Sequence, residues 1–172
     1  MKNIIFLDID GVLNDEQYIV KCYEKHHTPM HMSFVPFNPR SLKNLRKIYE
    51  SILDNGHDPL IVLSSSWRLN EIDTEIVKAR LAEYGMRIKG ATPYINSERG
   101  IEIIEYLKTN DYLDVPFVIL DDEKFDIITQ NKLKNHLVLT SFQRGLIGQK
   151  VKQAINVLNN EGCFNKKNKE EI

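Results

Sequence analysis

Apolar residues along this chain gather into short solid runs, separated by stretches with helical spacing. Three runs read as buried strands: IIFL (Ile4 to Leu7), LIVL (Leu60 to Leu63) and FVIL (Phe117 to Leu120). Each is apolar at successive positions, the pattern of a strand covered on both faces. A weaker run, HLVLT, covers His136 to Thr140. Between the runs, Leu42, Leu45, Ile48, Tyr49 and Ile52 recur at helical spacing, with Gly56 as the stop. Ile72, Ile76, Ala79 and Leu81 repeat the pattern ahead of Gly85. Ile101, Ile104 and Leu107 follow, then Ile147, Val151, Ile155 and Leu158.

Strands alternating with helices imply parallel pairing through right-handed crossovers. The expected fold is a three-layer α/β sandwich with a mainly parallel sheet. In such sheets a ligand binds beyond the carboxyl ends of the strands, and each main strand here ends in polar residues. Asp8 follows the first, Ser64, Ser65 and Ser66 the second, and Asp121, Asp122 and Glu123 the third. The stretch NIIFLDIDGVLN sets Asp8 and Asp10 one residue apart, close to where the chain should still be buried. A buried carboxylate needs a cation or a set of donors. Gly11 beside them signals a sharp turn. Either these aspartates cap that turn, or they hold a metal and do chemistry.

Composition narrows the class without naming the chemistry. The chain has 172 residues, 42% hydrophobic and 27% charged, which fits one soluble domain with a real core. A formal net charge of -1 gives no global drive toward nucleic acid or membrane. Cys22 and Cys163 lie far apart, form no zinc-type spacing and fit a reduced, cytoplasmic compartment. No signal peptide or long apolar span is expected. Residues 1–164 are expected to form the domain, with 15–38 as a small insert or lid and 165–172 as a polar, frayed tail. His26, His27 and His31 in the insert match no standard zinc spacing and read as surface or lid residues. Arg40, Lys43, Arg46 and Lys47 could touch a nucleic-acid backbone, but such a run is more often a solvated helix face.

Four segments, in order, resemble the four motifs of haloacid dehalogenase-like (HAD) hydrolases: FLDIDGVLN, LIVLSSSWR, a basic residue in SERGIEII, and VILDDEKFD. Within that superfamily, SSSWR, ATPYINSERGIEI and LDDE look most like small HAD domains of RNA-repair and polynucleotide 3'-phosphatase type. The resemblance implies a Rossmann-like, HAD-like sheet with at most a small cap, and a Mg2+-dependent phosphomonoester hydrolase. Asp8 would be the nucleophile, forming an aspartyl-phosphate. Asp10 would be general acid and then base, and would also offer its backbone carbonyl to Mg2+. Asp122 would complete the protein ligands with Asp8 and Asp10, supported by Asp121 or Asp126, which lies four residues beyond Asp122. Ser64 would bond the phosphoryl group, with Ser65 in support. Arg68 would contact phosphate or a second substrate group by its planar fork, a solvent-facing helical salt bridge being an equal reading. Trp67 reads as core ahead of a platform for a substrate base.

The third motif normally carries a lysine. Here Arg99 stands at a helix start, with Lys89 as rival. A cation there opposes the helix dipole, so Arg99 should have an anionic partner. The expected substrate is a phosphorylated small molecule or nucleic-acid end. The alternatives are a phosphotransferase and a catalytically silent binding or regulatory module on the same fold.

Overall fold

The computed structural model describes residues 1–26, 37–160 and 164. Of His26 only the backbone is described, and His27, His31, Cys163 and the expected tail at 165–172 lie outside the described residues. The described elements run β1 (Lys2–Leu7), α1 (Glu16–His26), α2 (Pro39–Asp54), β2 (Asp58–Leu63), α3 (Glu71–Ala82), β3 (Ile88–Ala91), α4 (Arg99–Thr109), β4 (Phe117–Asp121), α5 (Phe125–Thr129), β5 (Leu137–Leu139) and α6 (Gly148–Asn160). Short 3-10 turns at Ser66–Leu69 and Asn131–His136 follow β2 and α5.

The strands form one parallel sheet in the order β3-β2-β1-β4-β5. The period of two along each strand separates two cores. Ile5 and Leu7 of β1 face one side, with Ile61, Leu63, Val118 and Leu120, under α2, α3 and α6. Ile4 and Phe6 face the other, with Val62, Phe117 and Ile119, under Ile103 and Leu107 of α4 and Ile127 of α5. The sheet with helices on both faces is the three-layer α/β architecture expected.

β1 is the central strand, and its register fixes the site. Leu7 pairs with Leu63 on one side and Leu120 on the other. The next residues, Asp8, Ser64 and Asp121, therefore stand side by side at the carboxyl edge. The strand β3 is an element that the apolar pattern did not announce. Its sequence, IKGA, is short and has no fully buried position.

Helix ends use local chemistry. Asn38 caps α2 by accepting from the Arg40 amide, with Pro39 as the first helical residue. Asn70 caps α3 by accepting from the amides of Ile72 and Asp73. Gly56, at φ +74°, lies just past the end of α2 where a stop was expected. Among the described residues no helix is long and apolar enough to cross a membrane.

Candidate active site

The edge residues converge. Asp8, at 4% exposure, is almost wholly buried, and Asp121 is fully buried. Arg99 opens α4 and reaches across to both. One guanidinium nitrogen lies 3.3 Å from Asp8 Oδ1 and 2.5 Å from Asp121 Oδ2. These carboxylates are the anionic partners that a cation at a helix N-terminus requires. Burial works against the charge on Arg99, but Asp8, Asp121 and Asp126 hold its guanidinium above its ordinary range. Lys89 stands on the exposed side of β3, away from this contact.

Asp121 is occupied at both oxygens. Oδ2 meets Arg99, and Oδ1 accepts from the Glu123 amide at 2.9 Å. Asp122 turns toward the Asp8 loop, and Gly11 makes that approach possible. A Cβ built on Gly11 would lie 2.2 Å from Asp122 Cγ and Oδ2, and the backbone there has φ +68°. Both facts require glycine. α5 begins at Phe125, so Asp122 precedes it and does not share a helical face with Asp126. Asp126 instead accepts from the Gly100 amide at 3.3 Å, in the first turn of α4.

Oxygens of Asp8, Asp121 and Asp122 can all lie within 4.8 Å of one another. Crowding them raises the cost of their charge. Burial, then Asp121, pushes Asp8 up to about 8, against the pull of Arg99 and a hydrogen bond from the Ser65 hydroxyl. Burial, then Asp121 and Glu123, pushes Asp122 up to about 6. Burial also raises Asp121, with Arg99 opposing. Such a set of hard oxygens, short of positive charge, suits a small divalent cation.

Asp10 is positioned by two side chains. The Trp67 indole donates to Oδ2 at 2.8 Å, and the Asn14 amide donates to Oδ1 at 3.3 Å. Trp67 itself is buried with its ring against Phe37. It is core, as expected, and it also orients a carboxylate. Spacing alone could not show this, because the bond joins residues far apart in the chain.

The serines after β2 divide their work. Ser65 caps the 3-10 turn, accepting from the Trp67 amide, and its hydroxyl also faces Asp8. The Ser64 hydroxyl is buried beside Asp8 in the register and finds no hydrogen-bond partner among the described residues.

Arg68 departs from its expected role. Its Nε donates to Thr92 O, one terminal nitrogen donates to Ser64 O and Ser65 O, and the other donates to Pro93 O and Glu102 Oε2. All five N–H groups thus have acceptors. The ion pair with Glu102, at 2.6 Å, is buried at both ends. Arg68 therefore ties the ends of β2 and β3 to α4, with no donor left over for phosphate. Thr92, Pro93 and Glu102, the partners that decide this, lie within the segment ATPYINSERGIEI, but nothing in its pattern marks them as partners of Arg68.

Residues 4–151 match the family model described as the HAD domain in Swiss Army Knife RNA repair proteins. The chain belongs to this HAD family. No curated protein and no solved structure matches it. Membership covers most of the chain and agrees with the parallel sheet and the acidic edge. HAD domains are in general phosphatase-type hydrolases and typically use magnesium, and in this HAD chain the cluster of Asp8, Asp121 and Asp122 is a group of carboxylates that could hold such an ion.

Proposed function

We propose that the chain is a magnesium-dependent phosphomonoester hydrolase that works through an aspartyl-phosphate on Asp8. The observation that carries this reading is the placement of a buried carboxylate, Asp8, between an arginine 3.3 Å away and a second carboxylate, Asp122, that rests against Gly11.

Asp8 and Asp122, with the backbone carbonyl of Asp10, would hold Mg2+. The ion would supply positive charge that lets a carboxylate and a phosphate dianion approach each other. A carboxylate oxygen of Asp8 attacks phosphorus, forming the aspartyl O–P bond as the bond to the leaving oxygen breaks. Asp10 gives its proton to that oxygen. Water then attacks the same phosphorus, Asp10 takes the water's proton, and the Asp8–phosphorus bond breaks to release inorganic phosphate. Arg99 neutralises charge on the equatorial oxygens as it builds. The Ser65 hydroxyl, which faces Asp8, and the Ser64 hydroxyl, unpartnered among the described residues, would bond those oxygens. Asp121 and Asp126 position Arg99 and its helix. Arg68 holds the serine loop by its carbonyls and does not touch phosphate.

The family description favours a phosphorylated nucleic-acid end over an unrelated metabolite as substrate. The test is phosphate release by the purified chain, with and without Mg2+, from 3'- and 5'-phosphorylated oligonucleotides, mononucleotides and an aryl phosphate. Magnesium-dependent release that disappears in Asp8→Asn is the expected result. Release that persists in Asp8→Asn would overturn the nucleophile assignment, and no release from any ester would overturn the hydrolase reading.

A further inference from the structure

A shallow cleft opens beside Arg99 and contains groups that the phosphate chemistry leaves unused. Ser66, Leu69, Tyr94 and Ser97 line it together with Arg99, and it encloses about 60 Å3. That is the room of a few water molecules, so the enclosed part is smaller than a sugar or a ring. A leaving group larger than this, entering beside Arg99, would extend past the lining side chains. Two of the lining side chains are large and exposed: Tyr94 is 59% exposed and Leu69 57%.

Among the described residues that line it, the cleft is poor in free positive charge. Arg68 lines it but has spent all its donors on carbonyls and Glu102, and Arg99 is directed at Asp8 and Asp121. A second anionic group on the substrate would find little to hold it there. A neutral planar ring would find an aromatic face, an aliphatic neighbour and the hydroxyls of Ser66 and Ser97.

The backbone that carries Tyr94 is held on both sides. Arg68 binds the carbonyls of Thr92 and Pro93, and Glu102 accepts from the Ile95 amide at 2.9 Å. The buried Arg68–Glu102 pair thus fixes the backbone on both sides of Tyr94. Beyond it, Asn96 and Ser97 adopt φ values of 52° and 60°, uncommon for residues with a Cβ. This turn brings the Ser97 hydroxyl to donate to the Tyr94 phenol oxygen at 3.2 Å. An exposed aromatic ring on a fixed backbone, with its phenol oxygen bonded to Ser97, leaves little of the chain to be ordered when a ligand stacks on it.

We propose that Tyr94 is the stacking platform for the base of the leaving group, so that the substrate is a nucleoside phosphomonoester, free or at a nucleic-acid end. This rests on the hydrolase reading above for the position of the phosphate. Stacking on an aromatic side chain tolerates any base, so the platform selects for a ring and not for a sequence.

The experiment compares kcat/KM for a nucleoside monophosphate, a short oligonucleotide with a terminal phosphate, and glycerol phosphate, all with Mg2+. Wild type, Tyr94→Ala and Tyr94→Phe are measured side by side. The expected result is that Tyr94→Ala lowers the preference for the nucleoside esters over glycerol phosphate by about 5- to 100-fold, chiefly through KM, and that Tyr94→Phe retains the preference. A drop confined to the mononucleotide or to the oligonucleotide identifies which of the two is the substrate. An unchanged preference in Tyr94→Ala overturns the platform. Binding of the nucleoside monophosphate to Asp8→Asn and to Asp8→Asn/Tyr94→Ala separates the two readings. Tyr94-dependent binding without turnover in the wild type leaves the platform standing and sinks the hydrolase. Equal binding by the two variants overturns the platform, whatever the turnover.

Discussion

Gly11 is the contact between the two halves of the acidic site, and Gly11→Ala is the sharpest test of it. A methyl group there would lie 2.2 Å from the Asp122 carboxylate, where ordinary contact begins near 3.4 Å. The carboxylate must retreat by more than 1 Å. Magnesium demands near-ideal octahedral geometry at oxygen distances of roughly 2.0–2.1 Å, so a shift of that size removes a ligand. The backbone, at φ +68°, adds a cost of about 1–2 kcal/mol for any residue with a Cβ. For a domain of this size that lowers Tm by roughly 2–8 °C. The expected outcome is a loss of at least about tenfold in apparent magnesium affinity, about 1.4 kcal/mol, on top of the lower Tm. Phosphate release and Tm, each followed across a magnesium titration, measure the two effects separately. Gly56→Ala is the control. Its φ is +74° and nothing lies within 4 Å of the added Cβ, so it carries the backbone cost without the clash. If Gly11→Ala and Gly56→Ala show the same magnesium dependence, Asp122 does not hold the ion and the reasoning fails.

Other expectations follow from the same contacts. Trp67→Phe keeps a ring in the core but removes the N–H that meets Asp10, and should lower kcat about tenfold or more with little change in KM; a wild-type kcat would remove the indole from the mechanism. Arg68→Met leaves Glu102 buried without its partner and should cost about 3–5 kcal/mol in urea unfolding, while Arg68→Met/Glu102→Leu should recover much of that. The pH dependence has a definite sign. Asp8, Asp121 and Asp122 are all raised above the ordinary carboxylate value in the folded chain, so their contribution to stability is full below about pH 4 and is lost as pH rises through about 6 and then about 8. Thermal melts in a chelator should show this decline, and it should be shallower in Asp8→Asn. The rise in Tm produced by magnesium should grow over the same window, because the ion competes with those protons; a magnesium effect independent of pH would contradict the site.

Much of the fold could be read from the apolar runs, because β1, β2 and β4 lie inside the sheet and are covered on both faces. The split into two cores could not, since a strand buried on both sides shows no alternation. β3 escaped because an edge strand carrying Lys89 and Gly90 has neither length nor an apolar run. The acidic residues were legible as motifs, but the division of labour in the pair Asp121–Asp122 was not. Adjacent residues at a strand end point in different directions, and only the fold shows which one meets Arg99. Arg68 shows the same limit more strongly. Its side chain fits a phosphate fork as well as a carbonyl clamp, and its partners lie as many as 34 residues away.

The arrangement of β1 beside β4 also has a meaning for the newborn chain. Asp8 leaves the ribosome more than a hundred residues before Asp121 and Asp122. β2 can dock on β1 early in translation, but the acidic edge stays open until β4 adds itself on the opposite side. A cation that needs both Asp8 and Asp122 therefore cannot be captured before β4 has been made and docked. Its binding would report that β4 has joined β1, and would strengthen that association rather than the earlier docking of β2, with β5 still to add beyond β4.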